Sequence, residues 1–386
     1  MTTRVSSPRK CRQRCTSARS HSRTRRLLGA VARIALVESL LLPMLGCDPF
    51  HVTFDDAEPA VHYEAATYTE PPEIGDELLV MNWNTKFAGG RIDFFFDCIG
   101  DRVLMDEDEV EAHLAGLARK INQVDPDVVL LQEVDVDSKR VAFVDMMRYL
   151  VDHTEMNYGV YASQWKADYV PSDGLGRIDS GNAILSRWPL EEATRVALPL
   201  IDEQDALTRY FWLRRNMLKA RVALPGREDV WIVNIHTAAY SADGTKKEQI
   251  DLFKAELDEL AATGATVVGG GDLNTLPPNT EKLNGFPDSF CEGEFDADDY
   301  SSEVGWLDAL YTDYEEAIPL EDYAADNARY FTHTVDGRGF WSRRLDYLFT
   351  NASFEEGLVH QSEALGGMET MPLSDHAPLT ATLRLP

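Results

Sequence analysis

The segment ATVVGGGDLN, residues 265–274, contains the junction around which the fold is organised. Residues 265–268 have the apolar, β-branched character of a buried strand, and three glycines then lead into Asp272-Leu273-Asn274. If the backbone stays extended, the side chains of Asp272 and Asn274 point the same way, because one residue separates them. We therefore predict a strand that ends in two polar side chains directed at one ligand; a plain Asx turn is the alternative.

Other strand candidates end in the same manner. From Glu77 onward, short apolar runs alternate with polar turns and two helices, which is typical of an α/β protein. The predicted strands span residues 78–83, 128–131, 183–185, 217–222, 230–235, 265–268, 345–349 and 379–385, and the predicted helices residues 110–121 and 250–260. Polar residues stand where strands end, at Asn84, Glu133, His236, Asp272 with Asn274, and Asp375 with His376. Because a rigid sheet holds side chains in fixed mutual geometry, we predict an active site at these strand ends.

These residue types suit the hydrolysis of a phosphoester. Such an ester is negatively charged and repels hydroxide, so an enzyme must neutralise the phosphate, activate water and stabilise the leaving oxygen. Carboxylate and amide oxygens favour Mg²⁺ or Mn²⁺ as cofactor, and the sequence offers no Cys/His cluster of the zinc type.

Seven strings of the sequence resemble, in order, the motifs of the endonuclease/exonuclease/phosphatase superfamily. They are LLVMNWN, DVVLLQEVD, GNAILSRWPL, WIVNIHT, GGGDLNT, RRLDYLF and LSDHAPL, and they extend from Leu78 to Leu385. The resemblance implies a four-layer α/β/β/α sandwich of two packed mixed β-sheets flanked by helices. It also implies a metal-dependent hydrolase of phosphoric esters.

The resemblance further assigns roles to individual residues. It implies a metal set in which Glu133 is the principal ligand and Asp375 a second carboxylate, with Asn84 orienting metal, water or phosphate. The full implied set is Asn84, Glu133, Asp272 and Asp375. Without the other motifs, Glu133 would be taken for a solvated acid after a strand.

The remaining implied roles are catalytic. Asp272 positions or deprotonates the attacking water, and Asn274 holds the phosphate oxygens. His376 touches the scissile phosphate or acts as base, with Asp346 orienting its ring. His236 is implied as a phosphate ligand or general acid. The sequence leaves open whether Asp272 or His376 is the base.

Three further residues are weaker candidates. Arg214 and Arg215 precede a strand and could clamp a distal phosphate, or be solvated at the surface. Asn182 could contact phosphate, or could form a turn with Gly181.

Specificity is expected in two insertions, residues 89–109 and 277–302, which we predict to border the cleft. The first contains Phe94-Phe95-Phe96, a candidate lipid-inserting tip, base-stacking platform or, as we favour, local packing. A nuclease-like phosphodiesterase is the favoured function. The alternatives are a phospholipid (sphingomyelinase-like) or inositol-phosphate hydrolase and, from another class, a non-catalytic surface binding protein.

The first 47 residues have the anatomy of an export signal. A basic lead precedes an apolar stretch that ends in Met44-Leu45-Gly46-Cys47, which resembles a lipoprotein signal with Cys47 as the lipidated residue. Ordinary cleavage is the alternative, and Arg25-Arg26 allows a twin-arginine signal. We predict a flexible tether at 48–76, a catalytic domain at 77–386, and a periplasmic or cell-surface lipoprotein, or otherwise a secreted protein.

Charge and cysteine content add little about partners. The formal net charge of −28 argues against a broad basic face for nucleic acid, although carboxylates that hold cations can reverse the field locally. Cys98 and Cys291 could pair after export or be two separate thiols. We predict a monomer with a phosphodiester substrate, possible membrane attachment through Cys47, and no protein partner.

Overall fold

The computed structural model describes residues 51–97, 100–201, 204–227, 229–239, 243–288, 299–337, 339–362 and 369–386. Residues Val52–Pro386 form one compact unit. The export signal at 1–47 and the three cysteines Cys47, Cys98 and Cys291 lie outside the described residues, so the predictions about them stay predictions.

Two seven-stranded sheets form the body of this unit. The first sheet contains, in spatial order, β1 (Ala57–Pro59), β7 (Leu190–Ala197), β8 (Asn216–Val222), β9 (Val230–His236), β10 (Thr266–Asp272), β12 (Asp346–Thr350) and β11 (Glu315–Glu316). The second sheet contains β13 (Ser353–Val359), β14 (Leu379–Arg384), β3 (Glu77–Asn84), β4 (Val128–Asp135), β6 (Gly176–Ser186), β5 (Tyr158–Val170) and β2 (Val61–Glu64).

Helices cover the outer faces of the two sheets. The α-helices of the described residues are α1 (Glu107–Val124), α2 (Met146–His153), α3 (Ala206–Phe211), α4 (Thr245–Ala262), α5 (Asp308–Asp313) and α6 (Leu320–Ala325). Leu114 and Leu117 of α1 pack on the second sheet, and Phe253 and Leu257 of α4 pack on the first. None of the helices in the described part of the chain is long and apolar enough to cross a membrane.

Successive side chains along a strand contribute alternately to the core between the two sheets and to the core under the helices. In β3, Val80 belongs to the core between the sheets, whereas the next residue, Met81, belongs to the core under α1. Successive side chains of a strand point to opposite faces, so a continuous apolar run can fill two cores at once. The four-layer α/β/β/α sandwich implied by the sequence is confirmed.

Each sheet is mixed and has one parallel pair. β3 and β4 are parallel and are joined through α1, while β9 and β10 are parallel and are joined through α4. The carboxyl ends of each pair therefore lie at one edge. The antiparallel neighbours β14 and β12 begin at this edge, so residues from six distant segments can meet there.

The prediction of a flexible tether over residues 48–76 is wrong for residues 57–64. β1 pairs with β7 at the edge of the first sheet, and β2 pairs with β5 at the edge of the second. These strands are three and four residues long, too short to give a periodic signal, and Pro59 is tolerated because β1 is an edge strand. The folded unit therefore begins near Val52, not near Glu77.

Candidate active site

Strand geometry brings the predicted site residues together. In the first sheet, Asp272 at the end of β10 lies opposite His236 of β9 on one side and Asp346 of β12 on the other. In the second sheet, Asn84 ends β3, and β14 begins beside it just after His376. The sandwich places these two edges against each other, because Asn84 hydrogen-bonds Asp272 across the sheets.

Glu133 stands at a β-bulge within β4. Its φ is +56°, and the register of β4 with β6 shifts between Leu131 and Val134. A bulge leaves one residue unpaired and turns its side chain, which is a frequent device beside active sites. The partly exposed Glu133 is thereby directed to the amide of Asn84.

Asn84 connects the two carboxylates. Its Nδ2 donates to Glu133 Oε1 and to Asp272 Oδ2, both at 3.1 Å, while its Oδ1 accepts the backbone N–H of Lys86 at 3.0 Å. In this conformation the side-chain nitrogen of Asn84 holds the carboxylates of Glu133 and Asp272 together. Its role as an oxygen ligand to metal stays a prediction.

His376 and Asp346 form the expected pair. Nδ1 of His376 donates to Asp346 Oδ2 at 2.7 Å, which directs Nε2 toward Asp272 Oδ2, 3.6 Å away. His236 Nε2 approaches the same Asp272 oxygen to 3.5 Å. Two imidazoles thus face one carboxylate.

The loop that carries His376 is fixed to the end of β3. Ser374 Oγ donates to the backbone oxygen of Asn84 at 2.8 Å, and Trp83 Nε1 donates to the backbone oxygen of His376 at the same distance. The second sheet therefore positions the loop through β3, and Asp346 of the first sheet holds the His376 ring.

Burial and mutual charge shift the protonation equilibria of the site. Burial raises the pKa of Asp272 to about 7, against the effect of His376. Although burial acts in the opposite direction, Asp346 and Asp272 raise the pKa of His376 to about 10. Burial, together with Arg215 and His376, holds the pKa of His236 well below its usual value, so His236 is a neutral imidazole. The site therefore contains one charged and one neutral imidazole on either side of Asp272.

Asn274 departs from the extended geometry assumed for it. Its φ is +48°, its backbone N–H donates to Asp272 Oδ1 at 3.0 Å, and its Nδ2 donates to the backbone oxygen of Thr237 at 3.2 Å. The segment is an Asx turn at the end of β10. The premise of an extended backbone through Asn274 is wrong, because β10 ends at Asp272.

The two neighbouring arginines separate. Arg214 donates to the backbone oxygens of Val52 and Lys166 and lies 4.4 Å from the centre of the Phe54 ring, so it anchors the N-terminal segment. Arg215 is only 8% exposed, and the one hydrogen bond of its guanidinium within the described residues is a long bond of 3.4 Å from Nη1 to Gln164 Oε1. Burial lowers the pKa of Arg215 to about 10, while Glu133 and Asp272 raise it, which indicates that the guanidinium faces the acidic cluster.

Asn182 is not in a turn. It lies within β6, is fully buried, and donates to the backbone oxygen of Asn216 at 3.1 Å. Neighbouring Gly181 approaches β5 so closely that a Cβ there would lie 2.0 Å from the backbone oxygen of Ala162. The turn interpretation of Gly181-Asn182 is wrong.

Sequence reasoning missed two residues beside the cluster. Lys86 Nζ lies 3.7 Å from Asp375 Oδ2, and the ring of His333 lies 4.6 Å from that of His376. The available signals were weak: a lysine two residues after a strand end, and a histidine followed ten residues later by an arginine pair.

The donor set fits a hard divalent cation. Four carboxylates, those of Glu133, Asp272, Asp346 and Asp375, face the buried cations Lys86 and Arg215. Asp346 Oδ1 is buried without a hydrogen-bond partner in the described part of the chain. Ligand atoms of Asp272, Asp346 and His376 all lie within 4.8 Å of one another. Since Asp346 and His376 are already hydrogen-bonded to each other, the Glu133–Asp272 side is the better place for a metal.

Comparisons with known proteins agree with this architecture. The model of the Endonuclease/Exonuclease/phosphatase family matches residues 81–376. A search of curated protein sequences finds no match. Among solved structures, an endonuclease/exonuclease/phosphatase from Beutenbergia cavernae DSM 12333 is 20% identical over 80% of this chain and 72% of its own, with a TM-score of 0.52. Another, from Bacteroides vulgatus, is 13% identical over 80% and 99% of the two chains, with a TM-score of 0.51. These likenesses concern the fold.

Proposed function

The chain belongs to the endonuclease/exonuclease/phosphatase family, and on that premise we propose that it is a divalent-metal-dependent phosphodiesterase that acts on nucleic acid outside the cytoplasm. The observation that carries the proposal is the excess of carboxylates around Asp272, of which Asp272 and Asp346 are buried, at the edge where both sheets meet. Uncompensated buried charge is costly, so a fold retains it where a ligand supplies the missing charge.

Glu133 and Asp272 would hold Mg²⁺ or Mn²⁺, with Asp375 at the margin of the site. When bound, such an ion lowers the pKa of water and offsets charge on the phosphate. Arg215 is placed to contact a phosphate oxygen, because its fork has no carboxylate partner among the described residues. Binding of the ester there would neutralise the buried positive charge of Arg215 with the negative charge of the phosphate.

The histidines and Asp272 handle protons. Asp346 fixes the orientation of the His376 ring, so that Nε2 faces Asp272 and the reacting phosphate. Asp272 is placed to accept a proton from the attacking water, because its Oδ2 lies between the two imidazoles, 3.6 Å from His376 Nε2 and 3.5 Å from His236 Nε2. His236 is neutral and lies across Asp272, where it can bind the leaving oxygen through a hydrogen bond.

Packing of the phenylalanine triplet supports nucleic acid over lipid as substrate. Phe94 is fully buried and contacts Phe87 at a ring separation of 4.9 Å, while Phe96 stacks on Phe94 at 5.6 Å. Phe95 also contacts Phe96, at 5.3 Å, so all three rings are engaged with one another, as expected for local packing, although Phe96 is 37% exposed. A lipid-inserting tip would present its rings to the outside.

The test is an activity panel with Mg²⁺ on plasmid DNA, RNA, sphingomyelin, phosphoinositides and bis-p-nitrophenyl phosphate. We expect hydrolysis of nucleic acid and of the synthetic diester, and its loss in Asp272→Ala and His376→Ala. Matched controls are Asp251→Ala and His153→Ala, which change exposed residues on α4 and α2. Turnover of sphingomyelin or phosphoinositide alone would favour the lipid or inositol-phosphate hydrolase. Activity that survives both site substitutions would refute the site, and no activity on any substrate would favour a binding protein.

We also propose that the protein is exported and carries lipid on Cys47. The support is the order of features in the first 47 residues: a basic lead, then an apolar stretch, then Met44-Leu45-Gly46-Cys47. Labelling of expressing bacteria with radioactive palmitate should mark the wild-type protein and not Cys47→Ala. An unlabelled wild-type protein released into the medium would favour ordinary cleavage.

A further inference from the structure

A left-handed turn follows the catalytic strand β3 directly. Lys86, Phe87 and Ala88 have φ values of +44°, +42° and +56°, and none of them is glycine. Each such residue costs about 1–2 kcal/mol relative to right-handed backbone. Strain of this kind persists only where the surroundings determine the conformation, and it is common at functional sites.

Packing holds the turn in place. The fully buried Phe87 ring lies 3.7 Å from the guanidinium carbon of Arg140 and contacts Phe94. The backbone oxygen of Ala88 accepts a hydrogen bond from His113 Nδ1 at 2.7 Å. The turn is therefore fixed by side chains from the segment after β4, from α1 and from the first insertion.

The turn delivers an ammonium group into the acidic cluster. Lys86 Nζ lies 3.2 Å from Asp97 Oδ2, 3.4 Å from the backbone oxygen of Ile92 and 3.7 Å from Asp375 Oδ2. The Lys86 side chain is only 9% exposed. Three oxygen atoms, two from the first insertion and one from the loop before β14, are the donor set of a hard cation site, and here the cation is a lysine.

The Glu133 side of the cluster differs. Within the described residues, no lysine or arginine forms an ion pair with Glu133 or Asp272, which share the Asn84 amide and face histidines. By contrast, Lys86 counteracts the effect of burial on Asp375 and holds the pKa of that carboxyl below its usual value. Among the described residues, the Asp375 half thus has a lysine in ion-pair contact, whereas no lysine or arginine makes such a contact at the Glu133–Asp272 half.

We propose that Lys86 is a built-in cation that occupies the Asp375 half of the cluster, so that the protein binds a single divalent ion, at the Glu133–Asp272 half. Lys86 takes the place of a second ion and keeps Asp375 ionised and oriented. The inference rests on the proposed metal dependence. It assigns Asp375 to the lysine and so revises the metal set expected from sequence.

The test counts bound ions in the full exported chain. Mn²⁺ binding is measured by calorimetry and by electron paramagnetic resonance of free Mn²⁺, for wild type, Lys86→Met and Lys86→Gln. Lys120→Met, which removes another buried lysine, on α1, is the matched control, and circular dichroism checks folding.

We expect one Mn²⁺ per chain for wild type and Lys120→Met, and two for the Lys86 variants, because Asp97, Asp375 and the Ile92 oxygen become free. Two ions in the wild-type protein would overturn the proposal whether or not a variant folds. Unchanged stoichiometry and affinity in both folded Lys86 variants would overturn the role of Lys86 and leave the proposed function intact. No Mn²⁺ binding in the wild-type protein would overturn the proposed function itself.

Discussion

Two regions of this molecule bury charged side chains, and they differ in the balance between acidic and basic groups. Beside the outer strand β11, Glu316 accepts a hydrogen bond from Arg344 Nη2, and the two side chains are 1% and 0% exposed. At the strand ends around Asp272, four carboxylates face Lys86, Arg215 and the charged imidazole of His376. We call these regions the closed pair (Glu316 and Arg344) and the open cluster (Glu133, Asp272, Asp346 and Asp375).

The difference separates structural from functional charge. The closed pair matches one acid with one base, so its net charge is zero and it needs no ion or ligand from solution. The open cluster has fewer positive than negative groups, so its charge is balanced only when a cationic ligand binds. Removing one member of a buried pair leaves a buried charge unpaired, whereas removing one negative charge from a crowded group relieves repulsion. Substitutions in the two regions should therefore have opposite effects on stability and on activity.

The largest effect is expected for Asp272→Asn in the open cluster. The amide keeps the shape and still accepts a hydrogen bond from Asn84, but it neither accepts a proton nor carries charge. We expect kcat to fall about 10³-fold, as for the loss of a general base. The free energy of unfolding should not fall, because the cost of burying a charged carboxylate is removed. Steady-state hydrolysis of bis-p-nitrophenyl phosphate and urea unfolding measure the two quantities. A loss of both together would mean that Asp272 is structural.

The next effect is expected for Glu316→Gln in the closed pair. Arg344 would remain buried and charged without a counter-ion, which costs about 3–5 kcal/mol of unfolding free energy. Urea denaturation measures this cost, with the exposed Glu321→Gln on α6 as control. The folded fraction of Glu316→Gln should still hydrolyse the diester. Wild-type stability in this variant would show that the closed pair contributes nothing.

A smaller effect is expected from metal addition. An ion that binds only the folded protein stabilises it by about 2.7 kcal/mol at a hundredfold excess over its Kd. Mn²⁺ should therefore raise the Tm of wild type and of Glu321→Gln, and not that of Glu133→Gln. Differential scanning calorimetry with and without a chelator provides the measurement. An equal rise in Glu133→Gln would place the ion elsewhere.

Local patterns in the sequence predicted the core strands and helices. Residues 78–83 fall within β3 and residues 250–260 within α4, because apolar periodicity marks these elements. The helix α1 ends at Val124, just before Asp125-Pro126, as this pair predicts, whereas the left-handed conformation of Asp125 was not predicted. The site residues were found because strands end at polar side chains.

Features that depend on distant pairing were not predicted. The strands β1 and β2 form because they pair with the edges of β7 and β5. Their own three and four residues contain no pattern that predicts this pairing. Lys86 acquires its role from Asp375, which is brought near only by the pairing of β14 with β3. The turn at Asn274 likewise depends on Asp272 and Thr237 accepting its hydrogen bonds.

The central claim is that the open cluster is a metal-dependent centre for phosphodiester hydrolysis. Hydrolysis of bis-p-nitrophenyl phosphate by chelator-stripped protein, before and after addition of Mg²⁺ or Mn²⁺, tests it most directly. We predict no turnover by the stripped protein, recovery with either ion, and no recovery in Asp272→Asn. Equal turnover with and without the ions, unchanged in Asp272→Asn, would contradict the claim.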